Sequence, residues 1–392
     1  MAGARAGGGI GGRLLRPAAR RLLSSRRVPL PPMLMIEISS LCNLRCFMCA
    51  KTLGRVGTAP DRLIDMEVVE RLEGVFPHLE YVDLSGVWGE ALIKPDLYLR
   101  ILGMLKRHGV VVRTISNGTL ITRETASEMV RLGLDILSIS VDAARPETYR
   151  RVRGGAELGE VISGLRFLRE EKARQGRTGP RIDFLVLGMR DTIEELPDVV
   201  RLAAAHGASR VVLQEMVDFE EVKGQSLAWG HRELGKAWYE KAAAAARGTG
   251  VELSLLPPDQ FEPPCLAEGH KEAKDGRRSA PLKNCFLPWE MAVVTTGGDV
   301  IPCCAMFSSM GNVRETGFAD VWRGEAYRGL RRALLEGRPP QTCVICSARG
   351  WREDAAGPEI RAARALLSLS ARRAFRRNPL LRRLKPVVKK FL

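Results

Sequence analysis

Long apolar runs are absent from this sequence of 392 residues, and aromatic residues make up only 6% of it. Because no run reaches about 18 apolar residues, no segment is predicted to span a membrane as a helix. Apolar residues are still 45% of the chain and charged residues 27%, which is typical of a globular protein. The length accommodates one barrel-sized domain and a smaller second unit.

The central part of the chain lacks the basic excess that the net charge of +16 suggests. Residues 1–34 contain seven arginines and no acidic residue, and residues 349–392 contain thirteen basic against three acidic residues. The remaining 314 residues carry 41 basic and 42 acidic groups. The charge therefore lies in the two ends, and a nucleic-acid-binding groove across the body is not expected.

Both ends are predicted to lie outside the folded body. The leader, residues 1–32, suits either an organelle transit peptide or a disordered bacterial leader. In the tail, residues 351–392, apolar positions recur every four or five residues among the basic residues of 372–392. This pattern is typical of a helix that lies on anionic lipid, and it is equally compatible with a solvated basic tail. We expect a cytoplasmic protein, with peripheral membrane contact through 372–392 as an open alternative.

Short β-rich apolar runs alternate with helical-period segments over residues 33–250, which predicts βα units and a parallel sheet. The predicted strands are 33–38, 80–85, 110–116, 136–141, 181–187 and 209–214. In the helix that begins near Leu158, one apolar stripe contains Leu158, Val161, Ile162, Leu165 and Leu168. Periodicity alone does not separate a doubly wound sheet from an incomplete barrel. After a helix near 231–247, residues 255–350 predict a smaller domain with a hairpin around Gly297 and Gly298.

The nine cysteines are clustered at short spacings, which favours metal ligation in a reducing compartment over disulfides. The first cluster, CNLRCFMC, places Cys42, Cys46 and Cys49 just after the first predicted strand. Three thiolates on a cubane iron-sulfur cluster leave one iron open for a ligand. The alternative is a zinc site, although structural zinc normally takes four ligands and favours paired cysteines.

This cysteine loop resembles that of the radical S-adenosylmethionine (SAM) superfamily, whose fold is a partial (β/α)6 TIM-like barrel. The resemblance implies that SAM binds the open iron of a 4Fe–4S cluster. An electron supplied by a flavodoxin- or ferredoxin-type donor then cleaves SAM to a 5'-deoxyadenosyl radical that abstracts hydrogen from a substrate. The cofactors carry the chemistry, and the protein supplies position and shielding.

Polar motifs after the next strands resemble the SAM-binding motifs of the same superfamily, and a turn or capping role is the alternative for each. The resemblance implies that Gly86, Gly89 and Glu90 meet the SAM amino group, although this chain has an extra residue in that motif and Ala91 in place of proline. Further SAM contacts are implied for Ser116, Asn117, Ser140, Asp142 and Arg153. Loops at the carboxyl ends of barrel strands share one face, so these residues are expected to converge.

A second cysteine group resembles the SPASM and twitch extensions of this superfamily, which hold auxiliary iron-sulfur clusters. Its spacing fits the shorter twitch form, which implies one auxiliary 4Fe–4S cluster. The implied ligands are Cys285, Cys303, Cys343 and Cys346, with Cys304 and Cys265 as spare thiols that could replace one of them. A zinc ribbon built on the same cysteines is the alternative.

The leading functional hypothesis is a radical SAM oxidoreductase that acts on a small-molecule or lipid-linked substrate, with the auxiliary cluster as electron acceptor or substrate anchor. The second is a peptide maturase that modifies a ribosomally made precursor. Only 41 residues precede Cys42, so we expect this function to need a separate peptide-recognition protein. The third is a nucleic-acid-modifying or scaffold protein, which the neutral body disfavours. The sequence identifies neither the substrate nor a catalytic acid or base.

Overall fold

The computed structural model describes residues 25–55, 61–216, 219–256, 285, 287–303, 306, 308–336 and 338–344. The basic tail lies outside these residues, as do Cys265, Cys304, Cys346 and residues 1–24 of the leader. None of the helices in the described part of the chain has the length and apolar character of a membrane span.

Seven parallel strands form the main sheet, and each lies beside its neighbour in the sequence. They are β1 (Met33–Glu37), β2 (Tyr81–Ser85), β3 (Val111–Ser116), β4 (Ile136–Ser140), β5 (Arg181–Gly188), β6 (Arg210–Glu215) and β7 (Glu252–Leu256). The sequential order and the parallel pairing confirm the predicted α/β architecture and are compatible with a partial TIM-like barrel. The seventh strand, β7, was not among the predicted strands.

Helices connect the strands. The connections contain α1 (Met66–Leu72), α2 (Pro95–Arg107), α3 (Arg123–Leu132), α4 (Pro146–Val152), α5 (Leu158–Arg174), α6 (Leu196–Ala205), α7 (Leu227–Gly230) and α8 (Arg232–Ala246), with short 3₁₀ turns at Glu73–His78, Ala91–Ile93, Ile193–Glu195 and Glu220–Val222. In α5 the predicted apolar stripe is buried against the core except for Ile162, which is half-buried. Burial of this stripe holds α5 against the sheet.

A polar network lies near the amino ends of four strands, on the sheet face opposite the helices. Asp83 projects from the side of β2 opposite Val82 and Leu84 and forms an ion pair with Arg113 of β3. Asp183, fully buried on β5, pairs through Oδ2 with Nη2 of Arg210 at 2.6 Å. These buried pairs fix neighbouring strands to one another at this end. The opposite, carboxyl ends carry the predicted site.

The C-terminal unit is part of the same sheet, because its two strands extend the sheet beyond β1. It contains α9 (Leu287–Glu290), β8 (Met291–Val294), β9 (Val300–Ile301), α10 (Phe318–Trp322), α11 (Glu325–Leu335) and α12 (Gln341–Val344). β8 pairs in parallel with β1, in the register Met33 to Met291, and β9 pairs antiparallel with β8. The predicted hairpin is confirmed, and Gly298 in its turn has φ +89°, a conformation that suits glycine.

The same unit also binds the segment that precedes β1. The indole Nε1 of Trp322 donates to the carbonyl of Pro29 at 2.7 Å, and Val28 is fully buried. The packed part of the chain therefore begins before residue 33, within the segment that the sequence assigns to the leader.

Candidate functional site

The three-cysteine loop lies directly beyond the carboxyl end of β1. Cys42 is exposed, Cys46 and Cys49 are half-buried, and all three thiols are free. The backbone N–H of Phe47 donates to the carbonyl of Val152, the last residue of α4, at 3.4 Å. The loop is thus tied to the segment that follows β4, with its sulfurs near the carboxyl face of the sheet.

Arg153 connects the cysteine loop to the end of β4. Its Nη1 lies 3.9 Å from the sulfur of Cys46, and its Nη2 lies 2.6 Å from Oδ2 of Asp142. Burial alone would lower the pKa of the Arg153 guanidinium, but the negative charges of Asp142 and Cys46 raise that pKa overall. Burial raises the pKa of the Cys46 thiol, and the Arg153 cation opposes that shift and so favours the thiolate that a metal cluster requires. The structure therefore brings together three of the predicted site residues, Asp142, Arg153 and Cys46.

Two glycines allow the β2 loop to contact the cysteine loop. A Cβ on Gly89 would lie 2.4 Å from the carbonyl oxygen of Ser39 and 2.5 Å from that of Leu41, and a Cβ on Gly86 would lie 2.4 Å from the Gly89 backbone. The N–H of Glu90 donates to the Leu41 carbonyl at 2.7 Å. Only glycine leaves room for this backbone contact immediately before Cys42.

Glu90 is buried and its carboxylate is occupied by protein donors. Oε1 accepts from the hydroxyl of Ser116 at 2.6 Å and from the N–H of Leu92 at 3.0 Å, while Oε2 accepts from the N–H of Asn117 at 2.8 Å. Burial raises the pKa of Glu90, and these hydrogen bonds oppose that shift. Three of the predicted site residues are therefore bonded to one another, with the Glu90 side chain joining the β2 and β3 loops.

Asn117 extends this connection to the cysteine loop. Its Nδ2 donates to Oδ1 of Asn43 at 2.9 Å, and Asn43 in turn donates to the hydroxyl of Thr119 at 2.9 Å. Sequence reasoning missed Asn43, whose only signal is its place beside Cys42. Ser140, the remaining predicted SAM contact, is half-buried at the end of β4.

Apolar side chains cover the side of the cysteine loop that faces β5 and β6, a feature that the sequence motifs do not indicate. The buried members of this group, which we call the apolar wall, are Met48, Val152, Met189, Met216 and Val222. Cys46 itself packs against this wall. An apolar wall excludes water from one side of the loop.

The second cysteine group is only partly described. Cys285, Cys303 and Cys343 are half-buried, whereas the fourth predicted ligand, Cys346, and both spare cysteines lie outside the described residues. No group of three or more His, Cys, Asp or Glu side chains in the described ranges is arranged around a single metal ion. A cubane does not need such convergence, because each thiolate binds a different iron.

Sequence profiles identify both units of the chain. The profile of the radical SAM superfamily matches residues 36–203, and that of the iron-sulfur cluster-binding SPASM domain matches residues 285–347. Together they cover more than half of the chain, and the matched segments contain the cysteine groups described above. The chain belongs to the radical SAM superfamily and carries a C-terminal SPASM-type domain. It is an enzyme that uses SAM and 4Fe–4S clusters, one of them auxiliary.

Two of the curated relatives align with the chain over most of its length. A tungsten-containing aldehyde ferredoxin oxidoreductase cofactor-modifying protein of Pyrococcus furiosus is 24% identical over 81% of this chain and 87% of its own. A PqqA peptide cyclase of Streptomyces rochei is 26% identical over 81% of this chain and 82% of its own. Several GTP 3',8-cyclases also match, and the alignments span 60% or less of their own lengths.

Among solved structures, Streptococcus suis SuiB bound to its precursor peptide SuiA superimposes with a TM-score of 0.58. The superposition covers 91% of this chain and 83% of that chain at 14% identity. At this level of identity the likeness concerns the fold, including the C-terminal unit.

Proposed function

We propose that this protein is a radical SAM oxidoreductase that abstracts a hydrogen atom from its substrate, after which the substrate radical loses a proton and passes its unpaired electron to the auxiliary cluster. The observation that carries the proposal is the pairing of β8 with β1, since one strand precedes the three-cysteine loop and the other leads to Cys303. Both cluster-bearing segments are thereby fixed to the same sheet. When bound, SAM and its cluster supply the 5'-deoxyadenosyl radical.

We assign Cys42, Cys46 and Cys49 as the ligands of the SAM-cleaving cluster. Arg153, held by Asp142, keeps a positive charge 3.9 Å from the Cys46 sulfur and thereby stabilises the thiolate form. The apolar wall restricts water on the neighbouring side.

We assign SAM binding to the loops that follow β2, β3 and β4. Because the Glu90 carboxylate is hydrogen-bonded to Ser116 and Asn117, we assign it the role of holding these loops together. The backbone of Gly86–Glu90 would then be the part of this motif that binds SAM. Ser140, half-buried and at the end of β4, is proposed as a direct contact. Asn117 positions the loop through Asn43.

The iron content of the protein tests the two-cluster assignment. After anaerobic reconstitution we expect about eight irons per chain, because two cubanes carry four each. Elemental analysis measures iron and zinc in the same sample. About four irons with one zinc would contradict an auxiliary iron-sulfur cluster held by Cys285, Cys303, Cys343 and Cys346.

A peptide substrate is supported by one specific observation. The alignment with the PqqA peptide cyclase covers 81% of this chain and 82% of that protein. We therefore propose a ribosomally made peptide as the second candidate substrate class beside a small molecule. A lipid-linked substrate has no support among the described residues, because the segment 372–392 lies outside them.

Deuterium transfer distinguishes these substrate classes even when the substrate itself is unidentified. The reconstituted enzyme is incubated with SAM, a reductant and an extract of deuterium-grown cells of the source organism. Hydrogen abstraction should then place deuterium in 5'-deoxyadenosine, which mass spectrometry detects. Protease treatment of the extract should abolish the transfer if the substrate is a peptide and leave it unchanged if it is a small molecule. If 5'-deoxyadenosine contains no deuterium with either the untreated or the protease-treated extract, the enzyme does not abstract hydrogen from any substrate in that extract.

A further inference from the structure

Arg331 is a cation buried inside the C-terminal unit. It lies on α11, and its accessible surface is 0%. Its Nε donates to the carbonyl of Pro288 at 2.9 Å, and its Nη1 donates to the carbonyl of Trp322 at 2.8 Å. The guanidinium lies over the rings of Trp322 and Tyr327, at 4.2 Å and 4.7 Å from their centroids.

These neutral partners do not balance the charge of Arg331. Within the described ranges no carboxylate forms an ion pair with it, and its buried Nη2 has no hydrogen-bond partner. Burial lowers the pKa of Arg331 to about 10, and the Tyr327 hydroxyl opposes that shift. An arginine is buried in proteins when an anion or equivalent partner compensates for the lost hydration. Among the residues that the structure describes, therefore, no anion balances the charge of Arg331.

The residues that contact Arg331 adjoin two candidate ligands of the auxiliary cluster. Pro288, which accepts from its Nε, follows Cys285 by three residues. Tyr327, which lies under its guanidinium, donates its hydroxyl to the carbonyl of Ile301, two residues before Cys303. Burial raises the pKa of Tyr327, and the charge of Cys303 contributes to that shift. Arg331 thus lies between the segments that bring Cys285 and Cys303 into the domain.

We infer that Arg331 is the counter-cation of the auxiliary cluster and raises its reduction potential. Each cysteine thiolate adds a negative charge to the cluster, and reduction adds one more, so a nearby buried cation stabilises the reduced form more than the oxidised form. Arg331 is a positioning and tuning residue, because it acts on the cluster and not on the substrate. The inference rests on the proposed auxiliary cluster. It specifies that the charge of Arg331 sets how readily this cluster accepts an electron.

Redox titration of the auxiliary cluster tests this role without a substrate. Replacing Cys42, Cys46 and Cys49 with alanine in the full-length protein leaves the auxiliary cluster as the single EPR-active centre. In this background R331M should lower the midpoint potential by at least 59 mV, which is a tenfold change in the one-electron equilibrium. R331K should keep the potential near that of the parent protein. R332M, at the exposed neighbouring position on the same helix, is the matched control and should cause no such shift.

The outcomes separate this inference from the proposed function. A fully occupied cluster with an unchanged potential in R331M would overturn the role of Arg331 and leave the auxiliary cluster in place. A parent protein without any iron would instead remove the auxiliary cluster itself. If R331M does not retain the cluster, R331K decides: retention at the parental potential supports the charge role, and loss in R331K as well shows that the side chain acts through its shape.

Discussion

Replacing Cys46 with alanine is expected to abolish reductive cleavage of SAM while leaving the auxiliary cluster bound. Cys46 is the half-buried middle cysteine of the loop, packed against the apolar wall and 3.9 Å from Arg153. Two thiolates cannot hold a cubane and leave its fourth iron free for SAM. The measurement is 5'-deoxyadenosine produced with dithionite as reductant, together with iron content, which should fall to about four per chain.

The reciprocal variant, Cys343→Ala, provides the matched control. Cys343 belongs to the C-terminal group, so this change should lower the iron content similarly and spare SAM cleavage. A Cys46→Ala protein that forms 5'-deoxyadenosine at the normal rate would overturn the assignment of the three-cysteine loop. Equal loss of cleavage in both variants would show that the two cluster sites are not independent.

Replacing Gly89 with alanine is expected to destabilise the protein by about 1–3 kcal/mol, the usual cost of forcing an extra methyl group into a packed site. The new Cβ would lie 2.4–2.5 Å from the carbonyl oxygens of Ser39 and Leu41, and backbone atoms cannot rotate away as a flexible side chain does. Since Leu41 precedes Cys42, the cysteine loop should shift and SAM cleavage should fall as well. Urea unfolding and the 5'-deoxyadenosine assay measure the two effects.

Gly159 offers a control with the same chemical change and no steric conflict. It lies near the start of α5, and a Cβ there would meet no atom within 4 Å. Gly159→Ala should be neutral or stabilising by roughly 0.4–1 kcal/mol, because alanine restricts the unfolded chain without straining the helix. If Gly89→Ala and Gly159→Ala unfold at the same urea concentration and cleave SAM equally well, the close backbone contact at Gly89 has no functional importance.

Local patterns in the sequence predict the strands of the barrel well. Strands β1 to β6 begin and end within one residue of their predicted bounds, because apolar runs flanked by turn residues are encoded locally. The convergence of Asp142 and Arg153 on Cys46 is likewise predictable, since loops at the carboxyl ends of parallel strands share one face.

Contacts between distant segments leave little local trace, and these are the features that the sequence does not predict. The pairing of β8 with β1 joins residues more than 250 positions apart, and no short motif specifies which sheet edge β8 occupies. The resemblance implies a SAM contact for Glu90, but the number of protein donors around its carboxylate depends on the register of β2 and β3. Asn43 contacts Asn117 only because two loops meet in space.

The arrangement of β1, β8 and β9 limits how the two clusters can cooperate. Ile301, at the end of β9, pairs with Val293, which pairs with Met35, so β9 runs toward the amino end of β1 and carries Cys303 away from the three-cysteine loop. Since a parallel strand rises about 3.3 Å per residue, the end of β9, level with Met35, lies about 7 Å along the strand direction from the end of β1 at Glu37. The two cluster-bearing segments therefore leave the shared sheet in opposite directions. This arrangement favours electron transfer through the protein over direct contact of one compact substrate with both clusters.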